Sequence, residues 1–175
     1  MDILISSNLE RLLYHLCGEN DAQIREWFGA LAQSGRYEVT DEVKAVLKDE
    51  FYAGCCDDVQ TKACIKEIYD KYSYTCDTHT AVAVKVYEDY KSATGDNTKT
   101  VIASTASPYK FSGSVLDAIG ADTDADEFAL VEKLYEASKL PVPASLAALK
   151  EKKVRFSETV DKSEMKDYVF RTLGI

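Results

Sequence analysis

The amino-acid sequence contains no apolar run near the roughly 20 residues that a membrane-spanning helix needs, and its pattern does not predict a leader peptide. Basic residues are also scarce, with 21 Lys and Arg against 30 Asp and Glu and a formal net charge of −9. Nucleic acids and anionic membranes bind Lys and Arg patches, so we expect neither as a partner. A small-molecule partner fits this composition better.

The glycine and cysteine content further limits the classes of protein that the sequence fits. The eight glycines are scattered, and no two lie close enough to wrap a phosphate group. The five cysteines are an odd number, and two of them are adjacent, which does not suit a disulfide framework. We therefore expect a reduced, cytoplasmic protein. Repeats, linkers and low-complexity segments are absent, so residues 1–175 are predicted to form a single domain.

The stretch TVIASTASPYKF, Thr100–Phe111, joins a strand pattern to a helix start. Residues 101–103 form a short apolar run typical of a strand that is covered on both faces. A hydroxyl-rich turn follows, in which Ser107 is a suitable N-cap and Pro108 a suitable first residue of a helix running to Gly120. This pattern places hydroxyl groups at the carboxyl end of a strand, where α/β proteins bind ligands. The alternative is an ordinary connection whose hydroxyls only cap the helix.

Elsewhere the pattern is mostly helical. Two further short strands are predicted, at residues 3–5 and 154–156. Capping residues predict helix starts along the chain, at Ser7, Asp21, Thr40, Asp57, Asp77, Asp124, Pro143 and Asp161. The helix from Thr78 is apolar enough to be buried on most sides. So few strands cannot form a stable parallel sheet alone, which indicates that the rest of the sheet lies outside this chain.

Three segments carry a resemblance to a known family. STASPYKF resembles the STAHPAKF signature of threonine synthases, which are pyridoxal-phosphate enzymes of the tryptophan-synthase-like fold. MDILISSNLERLLYHL is similar to their SMDI-x-x-SSN-x-ERL segment, and CDTHTAVAVKVYEDY to their DPHTAVG segment. The resemblance implies an α/β fold: a helix-rich C-terminal part of a fold-type-II pyridoxal-phosphate enzyme, with a remnant of parallel sheet. It also implies conversion of O-phosphohomoserine and water to threonine and phosphate.

The resemblance implies cofactor contacts at Ser104 and Thr105. In the wider fold family, a Ser or Thr at the position of Thr105 hydrogen-bonds the pyridine nitrogen of pyridoxal phosphate. A hydroxyl there leaves the nitrogen largely unprotonated, which weakens the ring as an electron sink. The alternative role of Thr105 is to cap the following helix. Ser107 replaces the usual histidine, so no imidazole role carries over to it.

The resemblance also implies substrate-binding residues in three segments. They are Ser7, Asn8 and Arg11, then Asp77, His79 and Thr80, and finally Lys110. Each has a plainer alternative: Ser7 as an N-cap, Arg11 as a solvated charge, and His79 as a partly buried histidine with its hydrogen bonds satisfied.

No residue of this chain is predicted to be catalytic, because none of its lysines lies in the Schiff-base motif of the family. The chain alone is therefore predicted to be inactive and to self-associate through an exposed sheet edge. A non-catalytic acidic α/β interaction domain is the alternative function.

Two other kinds of site agree poorly with the sequence. A zinc site at Cys76 and His79 lacks a paired CxxC pattern. A hydrolase triad of Ser104, His79 and Asp77 lacks the glycine flanks of a nucleophile elbow.

Overall fold

The computed structural model describes residues 5–175, and between those residues the protein is built from helices and irregular segments. This confirms the helix-rich part of the predicted fold. The α-helices are α1 Ser7–Leu16, α2 Asp21–Ser34, α3 Asp41–Glu50, α4 Asp58–Tyr72, α5 Thr78–Thr94, α6 Ser112–Ala118, α7 Glu127–Ser138, α8 Ala144–Ala147 and α9 Met165–Leu173, and two short 3-10 helices span Pro108–Phe111 and Lys162–Glu164.

Several helices begin where the capping residues predict. Thr40 caps α3, and Asp57 caps α4 in a full capping box: its carboxylate accepts from the Gln60 amide at 2.7 Å, while the Gln60 side chain accepts from the Asp57 amide at 3.0 Å. Asp77 caps α5. These starts are confirmed because the capping side chain and the first free amides lie within one turn of sequence.

Three helix starts differ from the prediction by one or two positions. Ser6, not Ser7, caps α1, since its backbone is extended and its hydroxyl accepts from the Leu9 amide at 3.3 Å. Asn20 rather than Asp21 caps α2, and Asp126 rather than Asp124 caps α7. In each case the predicted residue also has a side chain that can cap, so the sequence pattern does not distinguish it from the residue that does. Asp161 makes no capping hydrogen bond through its side chain.

The predicted strands do not form among residues 5–175. Residues 101–103 are irregular, and the Val101 side chain is 95% exposed. Residues 154–156 are likewise irregular and exposed, and residues 3 and 4 lie outside the described part of the chain. A strand requires a neighbour to pair its amides and carbonyls, and the described residues supply none. The sheet remnant is therefore not observed.

Contacts divide the chain into two compact units, and the boundary falls between Lys139 and Leu140 in the sequence. Whether these units also unfold together is a separate property, so the single-domain expectation stays a prediction. The second unit carries α8 and α9.

The first unit holds two helical clusters. α1 packs on α2 and α3 around Leu13, Ile24, Trp27 and Val43. In the other cluster, α4 packs against α5 and α6, and α6 against α7. The Tyr69 hydroxyl joins α4 to the end of α7 by donating to the Ala137 carbonyl at 3.0 Å.

Helix α5 is less buried than predicted. Only Thr80 and Ala81 are fully buried on it, while the valines at 82, 84 and 86 are half-buried. Among the helices, α5 is contacted chiefly by α4. No helix among residues 5–175 has the length and apolar character to cross a membrane.

Candidate functional site

Two of the segments singled out in the sequence meet in the folded chain. The Thr80 and Ser104 hydroxyl oxygens lie 3.1 Å apart, which joins the start of α5 to the polar turn before the Pro108–Phe111 helix. The His79 ring stacks on Phe111, with ring centroids 5.8 Å apart and planes inclined by 29°. The DTHT segment and the STASPYKF segment therefore form one continuous site.

Asp77 is the anchor of this site. Its carboxylate is 1% exposed and accepts from the His79 amide at 2.8 Å and from the Thr80 amide at 3.3 Å. It also accepts from the Thr80 hydroxyl, and His79 Nδ1 lies 3.1 Å from Oδ1. One carboxylate thus caps α5 and fixes both neighbouring side chains that reach the other segment.

These contacts decide the charge of Asp77. Burial on its own raises the pKa of the Asp77 carboxyl, but hydrogen bonds from Thr80 and His79 lower it more. The net pKa lies below the ordinary value of an aspartate, so the group is ionised at neutral pH.

The turn after residue 103 presents hydroxyl groups to solvent. Ser104 and Thr105 are both exposed, and within residues 5–175 the Thr105 side chain makes no hydrogen bond. Ser107 caps the 3-10 helix as predicted, accepting from the Tyr109 amide at 3.3 Å. The plainer role of Thr105, capping that helix, therefore belongs to Ser107 in this structure.

Lys110 lies beside the same ring system. Its Nζ atom is 5.5 Å from the centroid of Phe111, on whose ring His79 stacks. A cation and an imidazole therefore share one aromatic ring at the edge of the site.

The residues predicted on α1 belong to a different part of the first unit. Ser7, Asn8 and Arg11 are exposed, and Asn8 Oδ1 accepts from Arg11 Nη2. Their helix packs on α2 and α3. Among the described residues, no hydrogen bond, ion pair or ring contact links them to Asp77 or Ser104.

Sequence reasoning missed part of the surroundings of the site. A cleft of 260 Å³ borders Phe111 and is lined by residues from three α-helices and the 3-10 helix: Asp58, Thr61, Lys62, Thr78, Val82, Phe111 and Ser114. Lys62 crosses from α4 to pair with Asp117 of α6 at 2.7 Å. No motif joins α4 to α6 in the sequence, so only the packing of these helices reveals the cleft.

Within the described residues, neither of the two poorly matching sites is formed. Residues 5–175 contain no group of three or more side chains that could hold a metal ion. Cys64 and Cys76 are buried, and burial raises the pKa of their thiols to about 12 and about 11. Ser104 contacts Thr80 rather than His79, so the described residues form no Ser-His-Asp triad.

Comparison with known proteins gives consistent results. The family described as "Threonine synthase, C-terminal" matches residues 80–169. The chain is 31% identical over 122 residues to threonine synthase from Methylobacillus glycogenes, covering 69% of this chain and 25% of that protein. It is 29% identical to the Saccharomyces cerevisiae threonine synthase, covering 99% of this chain and 35% of the relative.

Solved structures show the same similarity. A threonine synthase from yeast superposes with a TM-score of 0.70 and 28% identity, covering 99% of this chain and 35% of that one. A structure of threonine synthase from Brucella melitensis with bound pyridoxal phosphate gives a TM-score of 0.67 and 28% identity, covering 98% of this chain and 33% of that one. The chain thus spans a quarter to about a third of the length of these relatives.

Proposed function

Because the chain belongs to the threonine synthase C-terminal family, we propose that it supplies one wall of the active site of a threonine synthase. The enzyme would convert O-phosphohomoserine and water to threonine and phosphate, by γ-elimination followed by β-addition of water. The observation that carries the proposal is the contact between Thr80 and Ser104, which joins two of the segments shared with the family. We also propose a cytoplasmic location, which five free cysteines support.

The residues present suit pyridoxal phosphate. When bound, this cofactor supplies a conjugated ring that withdraws electrons from the reacting carbon. The turn offers three exposed hydroxyls, at Ser104, Thr105 and Ser107, and a hydroxyl can donate to an unprotonated ring nitrogen. We assign the ring-nitrogen contact to Thr105, with Ser104 beside it in the cofactor site.

The substrate is assigned to the remaining polar groups. Lys110 and His79 are accessible and suit the phosphate and carboxylate of O-phosphohomoserine. Asp77 and Thr80 are buried, so they act by holding His79 and Ser104 in place. Ser7, Asn8 and Arg11 would reach the substrate from α1.

The irregular segment 101–103 also fits a chain that is one part of a larger enzyme. Its exposed valine and its lack of regular structure are what a strand shows when its neighbours are supplied by another part of the enzyme. We propose that residues 101–103 become a strand of a parallel sheet when those neighbours are present.

A hybrid protein tests the function. This chain replaces the aligned region of the Saccharomyces cerevisiae relative, and we expect the product to bind pyridoxal phosphate and to form threonine. Thr105→Val should weaken cofactor binding about fivefold, since one neutral hydrogen bond contributes about 1 kcal/mol. Thr105→Ser keeps the hydroxyl and is the matched control. A hybrid that binds the cofactor equally well with valine at this position would contradict the assignment.

Self-association is a second consequence of the unpaired segment. The isolated chain should form dimers or larger species at micromolar concentration, and Val101→Lys should shift them toward monomer, because a charge on an edge opposes strand pairing. Size-exclusion chromatography with light scattering measures this. Val59→Lys, at an exposed valine on α4, is the control that should leave the distribution unchanged. A monomeric wild-type chain would contradict the prediction.

A further inference from the structure

The hydrogen-bond partners of Asp77 determine which hydroxyl groups near it donate and which accept. The ionised carboxylate has no hydrogen and can only accept. Its Oδ1 atom is occupied by the His79 and Thr80 amides and by His79 Nδ1. Its Oδ2 atom contacts the Thr80 hydroxyl, which must therefore supply the hydrogen for that contact.

Thr80 stands between two oxygen atoms but has a single hydroxyl hydrogen. Oγ1 is close to Asp77 Oδ2 and is 3.1 Å from Ser104 Oγ. The geometry allows Thr80 Oγ1 to donate either to Asp77 Oδ2 or to Ser104 Oγ, but its single hydrogen can serve only one of them. The ionised carboxylate is the stronger acceptor, so the hydrogen goes to Asp77, and the contact with Ser104 then requires the hydrogen of Ser104. Thr80 is buried, whereas Ser104 is exposed.

We propose that Asp77, acting through Thr80, turns the Ser104 hydroxyl hydrogen inward, so that Ser104 presents only lone pairs to the active site and Thr105, not Ser104, is the hydroxyl donor of this adjacent pair. Asp77 and Thr80 are then positioning residues. The part of this inference that concerns the cofactor rests on the proposed function, whereas the hydrogen-bond direction does not.

The consequence for ligand binding is a division of roles between adjacent residues. Ser104 can accept from a ligand donor but cannot donate to an unprotonated ring nitrogen while Asp77 is ionised. Thr105, whose side chain is unbonded within residues 5–175, keeps its hydrogen available. The adjacent hydroxyls of Ser104 and Thr105 are therefore not interchangeable.

Asp77→Asn should reverse the direction of the hydrogen bonds through Thr80 and Ser104, with little change in side-chain shape. The amide oxygen can still cap α5, which places the NH2 group opposite Thr80 Oγ1. The NH2 group would donate to Thr80, the Thr80 hydrogen would turn to Ser104, and the Ser104 hydrogen would become free to donate outward.

NMR on the 175-residue chain tests the direction. The Thr80 hydroxyl proton should be protected from exchange with water, and Ser104→Ala should change its exchange rate less than twofold. In the Asp77→Asn background, the same Ser104→Ala substitution should accelerate the exchange about tenfold, because it removes the acceptor. The Thr61 hydroxyl, which donates to the Asp57 carbonyl at 2.7 Å, is the internal reference.

The comparison in the wild-type background is sufficient by itself and does not require the Asp77→Asn chain to fold. If Ser104→Ala alone accelerates Thr80 exchange about tenfold, or if no protected Thr80 hydroxyl proton is observed, the proposed direction is wrong.

The hybrid protein tests the cofactor part. Asp77→Asn should restore most of the fivefold affinity for pyridoxal phosphate lost in Thr105→Val, and a further Ser104→Ala should remove that rescue. Cofactor binding without rescue would overturn this part. A hybrid that binds no pyridoxal phosphate would count against the proposed function, while the NMR result would still decide the direction of the hydroxyl chain.

Discussion

The 175-residue chain, mixed with pyridoxal phosphate and O-phosphohomoserine, is expected to release no threonine. Schiff-base chemistry needs a neutral lysine amine. Several lysines of this chain instead pair with aspartates on helix surfaces: hydrogen bonds to Asp89 and Asp117 raise the pKa of Lys85 and of Lys62, respectively, which keeps both protonated at neutral pH. Such amines are poor nucleophiles.

The 175-residue chain is also expected not to bind pyridoxal phosphate. Thr105 would contribute one neutral hydrogen bond, worth about 1 kcal/mol, whereas micromolar binding requires about 8 kcal/mol. Threonine is measured by amino-acid analysis, and cofactor binding by the absorbance that remains with the protein after gel filtration. The hybrid protein is the positive control. Threonine release that Thr105→Val abolishes would show that the chain holds a complete active site.

Asp77→Ala is expected to lower the free energy of unfolding by about 3 kcal/mol. The substitution removes a helix cap, worth about 1 kcal/mol, and leaves buried donors of Thr80 and His79 without an acceptor, which costs a further 1–3 kcal/mol. Asp57→Ala is the matched control, because Asp57 caps α4 from an exposed position, and about 1 kcal/mol is expected there. Urea unfolding measures both, and equal losses would contradict the special role of Asp77.

The same carboxylate should make stability depend on acid. The pKa of the Asp77 carboxyl is lower in the folded chain than in the unfolded chain, where an aspartate titrates at about 3.9. Its contribution is therefore complete above that value and is lost as the pH falls through the folded pKa. Asp77→Asn should show a flatter decline of stability below about pH 4 than the wild-type chain.

The helices were predictable because their signals are local. The Asp57 capping box and the Asp77 cap each involve residues within one turn, so a short window of sequence contains both partners. Where two adjacent residues can both cap, as with Ser6 and Ser7, the pattern predicts the helix but not its first residue. The choice depends on backbone angles that composition does not reveal.

The strand at 101–103 could not be settled in the same way. Its apolar residues favour a strand, but a strand exists only with a neighbour, and that information lies in another segment. The site was predictable in part for a similar reason. Resemblance pointed to Asp77, Thr80 and Ser104 separately, but the contact between Thr80 and Ser104 crosses 24 positions of sequence and depends on how α5 packs.

Trp27 allows one helical cluster of the first unit to be observed separately by fluorescence. It is the single tryptophan of the chain and is buried among α1, α2 and α3, whereas Asp77 lies at the start of α5, in the other cluster of the first unit. Fluorescence excited at tryptophan wavelengths therefore reports on one helical cluster, while circular dichroism averages over all helices. Coincidence of the two unfolding curves would mean that both clusters belong to one cooperative unit, and separation would mean that α1–α3 is an independent folding module.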